Sequence, residues 1–546
     1  MQFVFSPSCQ NKKEKRLQRF FEVIPAATSW AIIIGMLALS FLNSLLAAAL
    51  IIAFLLYWLL RLIYMVIFLV LSYMKLSIER STDWILWLND VDCLDVYLQR
   101  RAPVSFKKGL KSGISLWIHN RELKALKHSE SVPPASGEIL HLVIIPVIKE
   151  PREVLESTIA GLARSTFWPR QIMVVIALEE RAAEEIKQGV RRVQQAFRNR
   201  FYDILTVVHP YGLKAEAAVK GANITYAAKQ AARYCVERSI PFENVIVSCF
   251  DADTIVNLQY FVCLTYRFMV FPQRTRASFQ PIPVYHNNIW DVPAFARVLD
   301  VGASFFQLVE ATNPGSLVTF SSHSMSFKAL VEVGFWPVDM ISDDSAIFWK
   351  AFIHYDGNYR VVPLYTTVSM DIAAAQSWRQ TFLNVYRQKR RWAWGIENFP
   401  IVMRALLKAK AIPLRKKLTN GFKLFAGHIA WATWPFLLGV ISWLPAIFAG
   451  REFSDSVLYY SSPRIKTIIF NLASVGLLTT SIISVCLLPK VKIKKYFFRK
   501  ILHFFEWLLV PLISIFLSAI PALDAQTRLM RRRYMEFWVT PKSRKK

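Results

Sequence analysis

The chain has few of the residues that stabilise small secreted proteins or protein-bound metal clusters. Its 546 residues include only six cysteines. No two of them stand at the close spacing of a metal-ligand pair or a redox dithiol. We therefore expect reduced, structural thiols: Cys9, Cys93, Cys235, Cys249, Cys263 and Cys486. Internal repeats and low-complexity tracts are also absent from the sequence, which excludes a repeat architecture.

Acidic residues are scarce relative to basic ones. The chain has 38 aspartates and glutamates against 67 lysines and arginines, a formal net charge of +29. Such an excess is common in nucleic-acid-binding proteins, but here the basic residues cluster beside apolar runs, at residues 12–16, 415–417, 490–500 and 531–546. That arrangement is typical of the cytoplasmic loops of membrane proteins. We therefore expect membrane lipid, and no nucleic acid, as a partner.

Long apolar runs occupy both ends of the sequence. Residues 25–74 are almost all apolar, and because a membrane span needs about 20 residues, two spans fit, with a turn near Asn43. This run far exceeds the roughly 7 to 15 apolar residues of a cleaved signal peptide, so we expect it to remain in the protein. Three further candidate spans are residues 422–449, interrupted by Pro435; 467–488; and 501–523, interrupted by Pro511.

These runs divide the chain into predicted segments. A basic cytoplasmic N-terminus precedes two transmembrane helices, and an interfacial connector leads into a soluble domain with two halves. The N-terminus is residues 1–24, the two transmembrane helices are 25–75, the connector is 76–138, and the two halves of the soluble domain are 139–285 and 286–421. About three transmembrane or re-entrant segments follow at 422–523, and a basic tail at 524–546.

The charge pattern also predicts the orientation of this multi-pass membrane protein. Two spans after a cytoplasmic N-terminus return the soluble domain to the cytoplasm. Three complete spans after it would export the basic tail, against the positive-inside tendency. We therefore expect one of the later segments, residues 501–523, to be re-entrant or interfacial.

The soluble middle alternates apolar strands with helices. Strands are predicted at residues 139–145, 171–178, 203–209 and 244–250, and helices at 152–164, 179–198 and 220–238. This alternation predicts an α/β domain of Rossmann-like type with a largely parallel sheet, whose ligands bind beyond the carboxyl ends of the strands. The last of these strands places Asp251 at that edge.

Two pairs of carboxylates are candidates for catalysis. Asp251 and Asp253 stand one residue apart after a buried strand, where they can share a hard divalent cation that neutralises a diphosphate. Asp343 and Asp344 are adjacent at a predicted helix start, where one of them can act as a general base on an acceptor hydroxyl. The alternatives are a solvated turn for the first pair and a helix cap for the second.

A third candidate lies in a helix predicted from about residue 378 to 398. Gln388, Arg391 and Trp392 share one helix face, at i, i+3 and i+4, while Lys389 and Arg390 point elsewhere. The shared face offers an amide, a guanidinium for phosphate oxygens and an aromatic wall. A basic amphipathic helix on the membrane surface is the alternative.

Together these motifs resemble those of the membrane-anchored, family two glycosyltransferases, the group that includes cellulose, hyaluronan and chitin synthases. The resemblance runs from about residue 139 to 394. It rests on Asp251-Ala252-Asp253, on Ser342-Asp343-Asp344 in place of T-E-D, and on Gln388 to Trp392 for Q-x-x-R-W. Residues 220–223 are similar to K-x-x-A-x-N, and residues 146–150 look like the P-x-x-N-E loop.

The resemblance implies a GT-A fold and a metal-dependent, inverting transfer from a nucleoside diphosphate sugar, with a UDP-sugar as the expected donor. It implies that Asp344 is the base, with Asp343 as the second candidate, and that Asp251 and Asp253 hold Mg²⁺ or Mn²⁺. The implied donor-binding residues are Asp251, Glu150, Lys220, Glu179, Gln388, Arg391 and Trp392. The resemblance also implies that residues 139–285 are the nucleotide-sugar and metal-binding half of the domain (the donor half), and that residues 286–421, with the Q-x-x-R-W helix, are the acceptor-binding half (the acceptor half).

Two departures from the family pattern leave the nucleotide and the product open. Glu179-Glu180 stand where the family has D-D-x-S, and Phe320-Ser321-Ser322-His323 where it has F-x-G-T. His323 is interpreted as a structural histidine, with acceptor contact as the alternative. We expect a synthase that elongates a polysaccharide. The alternatives are transfer of one sugar to a membrane lipid, and an inactive transferase-like transport or scaffold protein.

Overall fold

A computed structural model describes residues 3–8, 11–100, 109–128, 133–315, 317–448, 457–489 and 496–541. Several sequence expectations lie outside these residues. They concern Cys9, residues 101–108 and 129–132 of the connector, the end of the candidate span 422–449, residues 490–495 of one basic cluster, and residues 542–546 of the tail. The other five cysteines form no disulfide, in agreement with the predicted free thiols.

The soluble domain is built on one eight-stranded sheet with the strand order β3-β2-β1-β4-β7-β6-β8-β5. The strands are β1 (Leu140–Val147), β2 (Ile172–Glu179), β3 (Asp203–His209), β4 (Val245–Cys249), β5 (Ile255–Val256), β6 (Ala277–Val284), β7 (Ser324–Ser326) and β8 (Arg360–Ser369). Strands β3, β2, β1 and β4 are parallel to one another. This half confirms the predicted α/β, Rossmann-like GT-A fold.

The second half of the sheet is mixed rather than parallel. Strand β7 pairs antiparallel with both β4 and β6, and β5 pairs antiparallel with β8, whereas β6 and β8 are parallel. The prediction of a largely parallel sheet therefore holds for β3, β2, β1 and β4 but not for the rest of the sheet. The three residues of β7 carried too short an apolar pattern to predict a strand.

Helices cover the sheet and extend from both ends of the domain. Those before and within the donor half are α1 (Lys12–Leu42), α2 (Ser44–Arg80), α3 (Trp84–Asp92), α4 (Leu94–Arg100), α5 (Leu110–Lys127), α6 (Arg152–Ala163), α7 (Glu184–Phe197), α8 (Lys220–Glu237) and α9 (Tyr260–Val270). Helix α7 begins later than the predicted residue 179 because β2 runs through Glu179 and a turn follows it.

Nine residues separate β6 from the regular helix that opens the acceptor half, and further helices follow it. These are α10 (Ala294–Ala311), α11 (Phe327–Glu332), α12 (Asp343–His354), α13 (Trp378–Ala393), α14 (Asn398–Lys408), α15 (Leu414–Gly439), α16 (Leu444–Ile447), α17 (Val457–Leu487), α18 (Tyr496–Glu506), α19 (Val510–Ser514) and α20 (Ile520–Met530). The predicted helix 378–398 is in fact broken: a 3₁₀ turn, Trp394–Glu397, separates α13 from α14.

Within the described residues, four helical stretches are long and apolar enough to cross a membrane: Lys12–Leu42, Ser44–Arg80, Thr467–Leu487 and Tyr496–Met530. A fifth candidate is the pair α15 and α16, bent by 42° at its break. The break follows Gly439 rather than the predicted Pro435, which α15 accommodates inside the helix. These helices indicate that the protein associates with a membrane.

The connector after α2 packs into the soluble domain. Trp84 and Trp87, expected at a membrane interface, are buried in its core and contact the ring of Tyr266. Nearby, the guanidinium of buried Arg267 binds Glu79 of α2 at 2.9 Å and Glu122 of α5 at 2.5 Å. Because a buried charge needs such partners, this pair of bridges ties α2 to the donor half.

Candidate functional site

The site begins where β4 ends. Strand β4 is fully buried, and the chain leaves it at Phe250 so that the Asp251 carboxylate stands at the sheet edge with 24% of its side chain exposed. Lys220, the first residue of α8, donates from Nζ to Asp251 Oδ1 at 3.0 Å. The Ser321 hydroxyl donates to the other oxygen, Oδ2, at 2.6 Å. Asp251 is therefore held in one orientation from two sides.

Lys220 also connects the two predicted aspartate motifs. Its Nζ lies 3.5 Å from Asp343 Oδ2, at the start of α12, so one ammonium group bridges Asp251 and Asp343. Burial opposes the charged form of Lys220, but the carboxylates of Asp251 and Asp343 outweigh it and raise its pKa well above the usual value. The donor and acceptor motifs, 90 residues apart in the chain, thus meet at one cation.

The bridge requires an unusually close approach of α8 to the loop before α12. A Cβ placed on Gly221 would lie 2.2 Å from the Pro337 carbonyl oxygen and 3.3 Å from the Asp343 Cβ. The backbone of Ala217 donates to the Val338 carbonyl at 2.9 Å, which holds the same two segments together. Only glycine fits at position 221 without moving this loop.

The two adjacent aspartates have different surroundings. Asp343 is buried against Lys220, whereas Asp344 is half-buried and accepts a hydrogen bond from the Ser345 backbone at 2.8 Å. Burial raises the pKa of Asp343 to about 6, and the charge of Asp344 adds to the rise while Lys220 opposes it. Burial also raises the pKa of Asp344, against Lys220 and Arg391. Both carboxyls therefore titrate closer to neutral pH than exposed ones.

The helix face predicted from Gln388, Arg391 and Trp392 is present on α13. Gln388 is buried, and its Oε1 has no partner within the described part of the chain. Arg391 is close enough to favour the ionised forms of both Asp343 and Asp344. Trp392 stands beside Tyr285, with ring centroids 6.1 Å apart.

The two basic residues between them are engaged elsewhere. Lys389 forms a buried ion pair with Asp300 of α10, and its Nζ also lies 3.4 Å from the centre of the Trp392 ring. Arg390 donates to Asp524 of α20 at 2.9 Å. Both residues connect α13 to its neighbours, and neither forms part of the Gln388 face.

Asp253 is placed differently from Asp251. Its side chain is fully buried, and its Oδ2 accepts a hydrogen bond from the Asp371 backbone at 2.8 Å. No group of three or more His, Cys, Asp or Glu side chains placed to hold a metal occurs within the described ranges. The two carboxylates of this turn would suit Mg²⁺ or Mn²⁺, because such ions commonly take one or two carboxylates together with substrate phosphates.

Glu150 and Glu179 lie at the carboxyl ends of the neighbouring strands. Glu150 Oε2 accepts from the backbone of Ile148 at 2.7 Å and of Lys149 at 2.9 Å, so it closes its own loop. Glu179 is buried, 3.5 Å from both Arg181 Nε and His209 Nδ1. Neither side chain is bonded to Asp251 or Lys220 in the described contacts.

A cavity of about 470 Å³ opens beside these strand ends. The loops after β1 and β2 and the first turn of α7 form one side of it, and the C-terminal segment forms the other. The lining residues are Ile148, Lys149, Arg181, Ala183, Glu185 and Ile186 on the first side and Phe537, Trp538 and Val539 on the second. The same segment reaches α13, where Arg391 stands 5.4 Å from the Phe537 ring and donates to Thr540 Oγ1 at 3.5 Å. This volume is typical of a small-molecule site.

The loop before β7, which departs from the family pattern, supports Asp251. Ser322 has a φ of 61°, in the left-handed region that favours glycine. Its hydroxyl lies 2.7 Å from Thr254 Oγ1 and accepts from the Asp251 backbone at 3.4 Å. His323 is buried and donates from Nδ1 to the Phe320 carbonyl at 2.9 Å, and burial lowers its pKa to about 4. These contacts favour the structural interpretation of His323.

Three contributions to the site were missed by sequence reasoning: Ser321, Gly221 and the segment 537–540. Ser321 was noted only as a departure from F-x-G-T, and Gly221 only as part of a motif. The C-terminal segment had been predicted as a basic tail, although its Phe537, Trp538 and Thr540 are the signal that could have suggested a binding role. Each of the three acts through a contact that is distant in sequence.

Comparisons with known proteins show what the chain is similar to. The family model described as glycosyl transferase family group 2 matches residues 246–517. No curated protein sequence matches the chain. Among solved structures, a mannosyltransferase from Pyrobaculum calidifontis, in complex with GDP-Man and Mn²⁺, is similar at 15% identity with a TM-score of 0.40, covering 66% of this chain and 94% of that one. A fragment of S. aureus TarS, in complex with UDP-GlcNAc, is similar at 12% identity with a TM-score of 0.35, covering 72% and 91%.

Proposed function

Since the chain belongs to the family two glycosyltransferases, we propose that it transfers a sugar from a nucleoside diphosphate sugar to a growing glycan, with inversion at the anomeric carbon. The observation that carries this proposal is the Lys220 bridge between Asp251 and Asp343. It joins the residues expected on the donor to those expected on the acceptor in a single site. A UDP-sugar is the proposed donor.

The donor binds along the carboxyl ends of β1, β2 and β4. Asp251, fixed by Lys220 and Ser321, faces the sugar diphosphate. The nucleoside occupies the cavity next to Ile148, Lys149 and Arg181. The positive charges of Lys149 and Arg181 complement the phosphates of the donor. Arg391 stabilises the negative charge that develops on the departing diphosphate.

Asp344 is the proposed base that removes the proton from the acceptor hydroxyl. It is the more open of the two adjacent carboxylates, while Asp343 is buried on Lys220. The raised pKa of Asp344 improves it as a base, because a general base works best when its pKa is near the operating pH. Inversion then follows from direct attack of the activated hydroxyl on the face of the sugar opposite the diphosphate.

A divalent cation completes the proposed donor site. Asp251, Asp343 and Asp344 together outnumber the single ammonium of Lys220, so a sugar diphosphate meets excess negative charge there. Mg²⁺ or Mn²⁺ held by Asp251, with Asp253 behind it, would neutralise the two phosphates when bound. Removing divalent cations should therefore abolish donor binding and turnover together.

The proposed localisation is a membrane with the catalytic domain and both chain ends in the cytoplasm. Near the N-terminus, Ser6 binds Asp339 at 2.5 Å and accepts from Arg404 at 2.7 Å. Near the C-terminus, Thr540 binds Arg391, and Tyr534 donates to Glu22 of α1 at 3.2 Å. Ends that both bind the domain require an even number of membrane crossings.

Four crossings account for these contacts. Ser44, at the start of α2, donates to the Phe448 carbonyl just after α16 at 3.0 Å, so both lie at the far end of the bundle. Helix α17 then runs back alongside α2, from the apolar cluster that contains Ile51 to the apolar cluster that contains Leu69. The remaining segment, Tyr496–Met530, contacts the domain near both ends: the Tyr496 ring packs against Trp290, and Asp524 accepts from Arg390 of α13. These contacts support the re-entrant or interfacial placement.

Product analysis tests the proposed reaction. The purified protein, in detergent or lipid nanodiscs, is incubated with radiolabelled UDP-sugars and Mg²⁺ or Mn²⁺, and the product is sized. A labelled polymer supports elongation, whereas labelled lipid carrying a single sugar would replace it with the lipid-acceptor function. No transfer from any nucleotide-sugar would overturn the proposal.

Asp344→Asn is the matched variant for this assay. It should lower kcat by about a thousandfold or more, within the range set by general-base catalysis and the surrounding charge, while leaving metal-dependent nucleotide binding unchanged. Calorimetric titration with the nucleoside diphosphate measures that binding. Full activity of the variant would show that Asp344 is not the base and would make Asp343 the proposed base.

A further inference from the structure

Glu397 is an inward-facing carboxylate outside every motif considered above. It ends the 3₁₀ turn Trp394–Glu397 that connects α13 to α14. Its Oε1 accepts from the Ile341 backbone at 2.9 Å, from the Ser342 backbone at 2.8 Å and from the Ser342 hydroxyl at 2.7 Å. Its Oε2 accepts from Trp394 Nε1 at 2.9 Å. One side chain thus holds the two residues that immediately precede Asp343 and Asp344.

The next residue reinforces the same loop. Asn398 Nδ2 lies 3.0 Å from the Ser342 hydroxyl and 3.1 Å from that of Ser345, on either side of the aspartate pair. A serine at the N-cap of a helix usually accepts a bond from the first turn. Ser342 is the N-cap of α12 and makes no such bond, because its hydroxyl donates to Glu397. The start of α12 is therefore set by Glu397 rather than by its own cap.

The four bonds require an ionised carboxylate. Ionised glutamate is an acceptor at both oxygens, and all four of its partners are donors. A glutamine in the same place would turn an N–H towards the Ser342 loop or towards the Trp394 indole, and one contact would become repulsive. Burial raises the pKa of Glu397 to about 7, with the bonds from Ser342 opposing the rise. Protonation in that range removes an acceptor from the loop.

We propose that Glu397 is a positioning residue for the transfer reaction: in its ionised form it fixes residues 341–342, so that Asp343 stays on Lys220 and Asp344 stays free to take the acceptor proton. This role rests on the proposed function. It also connects the Gln388–Trp392 helix, which precedes Glu397, to the base on α12. Acceptor binding at α13 and proton removal at α12 are then connected through the hydrogen bonds of Glu397.

The experiment compares Glu397→Gln with the wild type and with Glu138→Gln, a change of an exposed glutamate far from the site. We expect Glu397→Gln to lower kcat at least tenfold, with the donor KM within twofold of the wild type. It should also remove the component near pH 7 from the acidic limb of the kcat profile, while the component set by the Asp343–Asp344 pair remains. Glu138→Gln should change none of these. Equal losses in kcat and donor affinity would indicate a general structural role and overturn the proposal.

Ser342→Ala provides a second, milder variant. It removes one hydrogen bond to the Glu397 carboxylate, and because such bonds favour the ionised form, the pKa of Glu397 should rise. The acidic limb should therefore move to higher pH, with kcat reduced and the melting temperature unchanged. A limb that stays in place in this variant would overturn the role of Glu397 ionisation.

Hydrogen exchange separates this inference from the proposed function. In the wild type the backbone amides of Ile341 and Ser342 should exchange slowly, and in Glu397→Gln faster. Faster exchange with an unchanged kcat would overturn the positioning role alone. If the wild type transfers no sugar but the two proteins still differ in hydrogen exchange, the proposed function is overturned, and with it the catalytic role of Glu397.

Discussion

Lys220 and Asp343 form the electrostatic centre of the site at the scale of single residues. A carboxylate buried without a cation would be protonated or strongly destabilising, so the ammonium at 3.5 Å is what allows Asp343 to ionise there. The same ammonium holds Asp251 at 3.0 Å. A substitution at any of the three therefore alters the charge of the other two.

Asp343→Asn should move the acidic limb of the activity profile to lower pH. Asp343 and Asp344 titrate as a coupled pair with raised pKa values. Without the Asp343 charge, Asp344 is no longer repelled by a neighbouring carboxylate, and Lys220 no longer pairs with Asp343 instead. Both changes favour the ionised form of Asp344. The measurement is kcat/KM against pH in the variant and the wild type. A limb that moves to higher pH would contradict the pairing.

Gly221→Ala should lower activity at least tenfold. The new methyl group would overlap the Pro337 carbonyl oxygen at 2.2 Å, so the loop before Asp343 must shift. Overpacking of this kind typically costs about 1–3 kcal/mol and displaces backbone. Gly137→Ala, at a position with open space around it, is the control for melting temperature and kcat. Equal activity of the two variants would show that the close approach is not needed.

The C-terminal segment shows what is decided at the scale of elements. Its sequence is basic and ends beyond the described residues, yet residues 537–540 lie across from the loops after β1 and β2 and touch α13. An element that follows the last apolar segment thereby forms a wall of the cavity that we propose for the donor. Contacts of this kind depend on how helices α13 and α20 pack, which no local pattern reports.

Phe537→Ala should raise the donor KM about three- to tenfold with little change in kcat. The ring supports the Arg391 guanidinium at 5.4 Å, and such cation–π contacts contribute about 0.5–2 kcal/mol. Steady-state kinetics with the nucleotide-sugar measure the effect. Glu536→Ala, an exposed neighbour, should match the wild type. A fall in kcat at constant KM would place Phe537 on the acceptor side instead.

The helix that carries Gln388 and Arg391 illustrates how far sequence reasoning reaches. Its start at Trp378 and its shared polar face follow from local spacing and were predicted. Its end at Ala393, five residues earlier than predicted, follows from the 3₁₀ turn in which Trp394 donates to Glu397 and Glu397 accepts from Ser342. The partner of that turn lies 55 residues away, outside any local window.

At the scale of the whole molecule, the membrane helices and the catalytic domain form one packed body. Helix α1 packs against α14 and α20, and α2 packs against α10 and α17. Leu523 and Leu529 of α20 share an apolar cluster with Trp394 and Phe399 of the acceptor half. The segment Tyr496–Met530 therefore connects α13 to the bundle of apolar helices.

Cysteine labelling tests the orientation. In a chain with Cys9, Cys93 and Cys486 replaced by Ser, Asn43→Cys should react with a membrane-impermeant maleimide in intact cells. Glu536→Cys should react only in inside-out vesicles, because the proposed tail is cytoplasmic. Asn43 and Glu536 are both exposed, so the reagent reaches either position from its own side. Labelling of Glu536→Cys in intact cells would require an odd number of later crossings.

The amino-acid sequence by itself determined the fold class, the apolar helices and the motif residues at the strand and helix ends, because these depend on periodicity and spacing within short segments. The tertiary structure alone decided that the sheet becomes mixed after β4 and that Gly221 must lack a side chain. It also decided that Lys220 joins the two aspartate motifs and that Glu397 holds the second one. Those features are distances between groups far apart in the chain, and only the packed molecule defines such distances.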